Sequence, residues 1–248
     1  MESSQAEISK DVIINLLNEM VQSFPAETST TSFNKHNAQN LYLMCLYGRV
    51  FELGVSALNL MKINDYAGVP VILRSQLEAF VDFANLITDK DFVKVIGANF
   101  VDQKKRLYKN LSKYLEQSEV SPYTDDGTEN AVKGIKPQTI SKRFENVSLK
   151  KAHITAYFIL CGYGHNDLAM LENRHIERTD SDYNVVFFKE EPLLNCLRFG
   201  VTLGLTLVDT HKMLMEFFKK TLKDDTSKIC HMFIQFMEEA AALFKSNE

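Results

Sequence analysis

The sequence predicts an all-α protein, a helical bundle of about six long helices carrying one small β-hairpin. Three observations predict it. Five prolines and ten glycines among 248 residues leave room for long uninterrupted elements. The composition is rich in Leu, Met, Lys, Glu and Ala, which lose little on entering a helix. Apolar residues recur at spacings of three and four through most of the chain, the period of a helix that buries one face. The length and a 45% hydrophobic content fit one domain over 1–248.

In chain order, Ile8, Val12, Leu16, Met20 and Val21 mark a first amphipathic helix, which Pro25 is expected to end. A second runs from about Phe33 to Ile63, and Asn64-Asp65 supplies a turn and the next cap. The third, from about Asp65 to Thr88, is apolar nearly all round and is therefore expected at the centre. Arg74, Glu78 and Asp82 are set into it four residues apart, on one face. The fourth helix, about Asp89 to Gln117, carries Lys105, Lys109 and Lys113 as a basic stripe. Residues 119–136, with Pro, Gly, Ser and acids, read as a flexible loop able to act as a lid.

After a short helix comes the run from about Leu149 to Glu172, in which His153, Tyr157, Cys161 and His165 recur every four residues. Gly162 and Gly164 interrupt it and imply close backbone approach, a kink or a ligand. Aromatic and β-branched residues then follow a turn cluster, predicting a β-hairpin at about 174–188. Glu191-Pro192 opens the next long helix, where Gly200 and Gly204 would let a neighbour approach closely. Asp224 caps the last.

A net charge of −4 and a pI near 5.9 exert no global pull on nucleic acid or anionic membrane. The acidic N-terminus does not resemble a signal peptide, and Leu193 to Val208 is shorter than a bilayer span of roughly 20 residues. A cytoplasmic protein without a membrane role is the expectation. Four cysteines far apart, Cys45, Cys161, Cys196 and Cys230, read as buried thiols. His165, Asp167, Glu172, His175 and Glu177 are a ligand-rich run, but none of the zinc-enzyme spacings occurs, and no metal or cofactor is expected.

A charged pair on an apolar helix survives only if it is paired or faces a wet cleft, so Arg74 and Glu78 mark either a site or an internal network. His165 and Tyr157 form the natural opposite wall. A histidine there could act as acid or base, with an arginine holding phosphate. Lys104 to Lys113 and Lys133 to Lys151 could add a local basic patch, or be an ordinary solvated face.

Leu73-Arg-Ser-Gln-Leu-Glu-Ala79, Asp89-Lys-Asp91, and Tyr157 with a small residue at 161 and His165, resemble an uncharacterised family of prokaryotic all-helical proteins related to the HEPN superfamily. That family pairs a Leu-Arg-Ser-x-x-Glu-Ala helix with a Tyr-x-x-x-Ser-x-x-x-His helix; Cys161 replaces the Ser. The resemblance implies Arg74, Glu78, Tyr157 and His165 as the site residues, a homodimer, and a toxin-antitoxin or antiviral defence setting with a partner protein from the same operon. The Arg-x4-His signature of the superfamily's metal-independent ribonucleases is missing. Two functions stand from sequence: a stress or phage-defence component acting on RNA or a nucleotide, and a non-enzymatic interaction or regulatory module whose polar cluster is structural.

Overall fold

The computed structural model describes residues 9–34, 36–114, 126–165, 167–179, 182–187 and 190–245. Among these, six helices run 19 to 25 residues: α1 (Lys10–Thr28), α2 (Ala38–Lys62), α3 (Val69–Thr88), α4 (Phe92–Leu111), α10 (Leu193–Phe217) and α11 (Asp224–Lys245). Short elements lie between α4 and α10: α5 (Asp126–Ala131), α6 (Ile140–Asn146), α7 (Lys150–Ala152), α8 (Phe158–Gly164) and α9 (Leu168–His175). Strands β1 (Ile176–Arg178) and β2 (Tyr183–Val185) pair antiparallel, with Glu177 opposite Asn184.

The core lies where α3, apolar on most of its surface, meets α2 and α10. Leu73, Val81, Phe83 and Leu86 of α3 are fully or nearly fully buried with Leu43, Val50 and Met61 of α2 and Leu197, Leu203 and Leu207 of α10. Helices α1 and α11 close the other side through Leu17, Met20, Phe24 and Phe233. The glycines of α10 sit where predicted close approach occurs: a Cβ on Gly200 would lie 2.6 Å from Ile13 Cγ1, and one on Gly204 would overlap the Phe233 ring. Both glycines are therefore required by packing.

Several sequence expectations are corrected. Pro25 does not end α1, which continues to Thr28. Proline removes only the bond to Val21 O, and the last turn is held instead by Thr28 Oγ1 on Phe24 O and Ser29 N–H on Pro25 O. Asp65 does not cap α3: Asn64 adopts a left-handed conformation in the turn, and Gly68 with Pro70 opens the helix. Of the loop at 119–136, residues 119–125 lie outside the described residues, but Asp126–Ala131 is helical and Val132 is buried. Cys45 is exposed and Cys161 half-buried; only Cys196 and Cys230 are buried thiols. Helix α10 extends to Phe217, so α2 and α10 are each long and apolar enough to cross a bilayer by length and composition, with about half of each apolar window covered by the rest of the fold.

Candidate functional site

The polar ladder of α3 organises the centre of the chain. The helix must bury three faces, and its fourth carries Arg74, Glu78, Asp82 and Asn85 in successive turns. Both carboxylate oxygens of Asp82 accept from Arg143 of α6 at 2.6 Å, in a largely buried pair. Asn85 Nδ2 donates to Arg143 O at 2.8 Å. Helix α6 is thereby pinned, and Phe144 beside Arg143 is buried against the next element.

That element is not one helix from Leu149 to Glu172. Helix α7 passes into a π-helical turn at His153–Tyr157, closed by Phe158 N–H on His153 O, then into α8, which ends at Gly164. His165 sits just past the end, and Asp167 caps α9 by accepting from Ala169 and Met170 N–H. The π turn disrupts a straight stripe of every fourth residue. His153 stacks on the Tyr157 ring at 5.3 Å, both rings touching Phe144, while Tyr157 itself turns into the core. Gly162 and Gly164 have only ordinary contacts around an added Cβ, so neither marks a tight approach.

The structure brings Arg74, Glu78, Tyr157 and His165 together. Tyr157 Oη donates to Glu78 Oε1 at 2.6 Å. Arg74 Nε faces both Tyr157 Oη and Glu78 Oε1 at 3.4 Å, and its NH1 lies 3.0 Å from His165 Nε2. Burial, and then the hydrogen bond to Glu78, push the Tyr157 phenol well above its ordinary value, so it stays a proton donor. The bond to Tyr157 holds the Arg74 guanidinium higher still than usual, against partial burial. Arginine only donates, so His165 Nε2 must accept: the ring is neutral and carries its proton on Nδ1. Tyr157 is the buried member of the cluster, Arg74 and Glu78 are half-buried, and His165 is exposed.

A family model matches residues 40–184, more than half of the chain, described as a family of unknown function, DUF5677. The chain belongs to DUF5677. The match runs from α2 through β2 and contains all four cluster residues, whereas α1, α10 and α11 lie outside it. No curated protein and no solved structure matches the chain.

Among the described residues no three His, Cys, Asp or Glu side chains gather to hold a metal ion. Elsewhere a cavity of about 900 Å³ lies between α9 and the hairpin, lined by Leu168, Leu171, Ile176 and Tyr183. The basic stripe is partly neutralised: Lys105 pairs with Glu129, Arg106 with Asp102, and Lys142 and Lys150 with Glu145.

A second polar network escaped the sequence reading. His211 of α10 is fully buried, with Nε2 3.2 Å from Glu27 Oε2 and Nδ1 3.0 Å from Tyr47 Oη. Glu27 Oε1 accepts from Lys223 N–H at 2.7 Å, which fastens the start of α11 to the end of α1. Burial lowers the His211 imidazole despite Glu27, so it is neutral and donates from Nε2. Burial would raise Glu27, but bonds from Thr226, the Lys223 amide and His211 outweigh it and keep the carboxylate ionised. Every donor there ends on an internal acceptor. It is a structural clamp.

Proposed function

We propose that the exposed end of the α3–α8 cluster engages a phosphate group of RNA or a nucleotide, in a cytoplasmic prokaryotic stress or phage-defence protein of HEPN-like architecture. One observation carries the binding part. Arg74 is fixed along its Nε edge by Tyr157 and Glu78 while its NH1 reaches the surface beside His165. A guanidinium held on one edge loses little freedom when the other edge meets an oxyanion. Arg74 holds the phosphate, Glu78 and Tyr157 orient Arg74, and His165 supplies the titratable group. The defence setting rests on the resemblance of the 73–79 and 157–165 motifs alone. Any chemistry would be metal-independent, with His165 as acid or base, and would have to work without an Arg-x4-His pair.

Fluorescence anisotropy with a single-stranded oligouridylate tests the reading. Arg74→Ala should lose binding while melting as a folded protein, and wild-type binding should weaken with salt. Equal affinity in wild type and Arg74→Ala would remove the proposal.

A protein-interaction module is the second reading, favoured by Ile154, Phe158 and Ile159, which are 60%, 70% and 50% exposed on the same helical run. A second copy or an operon partner would cover them. Sedimentation of wild type against Phe158→Glu decides whether this face self-associates.

A further inference from the structure

The hydrogen bond between Arg74 NH1 and His165 Nε2 ties up part of the exposed end of the site. Arg74 contributes +1, Glu78 −1, and His165 is neutral because its Nε2 accepts from Arg74 at 3.0 Å. The cluster therefore has no net charge with which to attract an anion, and one of the outward N–H groups of Arg74 is spent on His165. A phosphate oxygen is a better acceptor for a guanidinium than a neutral imidazole, since it carries negative charge and its group can meet two N–H bonds of the fork at once. A phosphate that meets NH1 from the His165 side thus competes for the hydrogen that His165 holds.

His165 is built to yield. It follows the last residue of α8, it is exposed, and Gly164 before it places no side chain beside Arg74. The imidazole meets Arg74 of α3, around which stand Glu78 of the same helix, Tyr157 of the π turn and Cys161 of α8, and Asp167 follows His165 by two residues at the start of α9. Glu78 is engaged by Arg74 and Tyr157, and Asp167 by the amides of α9. None of the described acids is hydrogen-bonded to the imidazole. Once displaced, Nε2 carries a free lone pair next to a bound anion, which favours taking a proton from solvent.

Resting on the phosphate-binding reading above, we propose that binding at Arg74 is proton-linked: the oxyanion displaces His165 from Arg74, and His165 takes up one proton from solvent, keeps it on Nε2 and hydrogen-bonds through that N–H to the same oxyanion. The bound site then carries +1 rather than zero before the ligand is counted. Affinity consequently rises as pH falls across the range in which imidazoles titrate. The shared chemistry is a tetrahedral oxyanion, from an RNA backbone or from a free ion.

The test uses the full chain and two probes that do not titrate between pH 5.5 and 8: an oligouridylate without terminal phosphates, and inorganic sulfate. Calorimetry at each pH, in two buffers of different ionisation heat, reads affinity and proton uptake together. The expected result is roughly tenfold tighter oligouridylate binding at pH 5.5 than at 7.5, with uptake approaching one proton per site. His165→Gln keeps an acceptor for Arg74 but cannot titrate, and should bind with the weaker, high-pH affinity at every pH. If that variant fails to fold by circular dichroism, proton uptake by the wild type decides alone. Sulfate with the same uptake identifies a general oxyanion site; oligouridylate binding without sulfate binding identifies an RNA backbone site. Wild-type binding that is lost in Arg74→Ala but takes up no proton overturns the linkage and leaves phosphate binding standing. No binding of either probe at any pH overturns both.

Discussion

Replacing Glu27 by Ala should be among the most damaging single changes in this protein. Glu27 is 3% exposed, and three donors end on it: His211 Nε2–H, the Lys223 amide and the Thr226 hydroxyl. Alanine leaves all three without an acceptor in a site too tightly packed to admit bulk water. An orphaned buried polar group costs about 1–3 kcal/mol, and breaking a buried charged network by one partner costs about 3–5 kcal/mol. The upper half of that range applies, because the Lys223 amide cannot reorient and the start of α11 loses its tie to α1. Urea unfolding should show a shifted midpoint with an unchanged slope. Glu27→Gln should cost less, since the amide oxygen still accepts while its nitrogen has no partner. A loss below about 1 kcal/mol for Glu27→Ala would refute the clamp.

Three further outcomes follow from the same structure. Asp82→Ala strands Arg143 beneath α6 and should cost about 3–5 kcal/mol in thermal or chemical unfolding; the pair Asp82→Leu with Arg143→Met should recover most of it. Gly204→Ala gains about 1 kcal/mol of helix propensity but drives a methyl into the Phe233 ring, and overpacking of about 1–3 kcal/mol should leave a net loss in the same melts. Stability should fall with acid in two stages. His211 is lowered from 6.5 in the fold, so the unfolded chain binds its proton first and stability declines below that pH; Glu27, lowered from 4.5, adds a second decline below its own ordinary value. Replacing His211 by Gln should erase the first stage from a pH series of melts.

How much of this is legible in the sequence depends on where each polar residue sits. Arg74 and Glu78 stand out because their helix is otherwise apolar, and Tyr157 and His165 because they lie in a second apolar run; two such interruptions in buried segments have few partners other than each other. The pairing of Asp82 is not legible, because its partner, Arg143, lies in a stretch rich in lysine, where a charge normally means a solvated face. Glu27 follows a proline at a helix end, and its partner is 184 residues away, so nothing local links them. The π turn is invisible in side-chain periodicity, since it is a property of one backbone hydrogen bond. Without it the spacing of His153, Tyr157, Cys161 and His165 suggests a single stripe, whereas the folded chain turns Tyr157 inward and His165 out.

The most direct measurement is the nitrogen-15 spectrum of the His165 imidazole, free and with oligouridylate. The hydrogen bond to Arg74 requires a neutral ring in the free protein, protonated at Nδ1 with Nε2 as a bare acceptor. Binding should convert Nε2 to a protonated donor, and Arg74→Ala should abolish that conversion. A free ring protonated at Nε2, or one that is unchanged when RNA binds, would contradict the account.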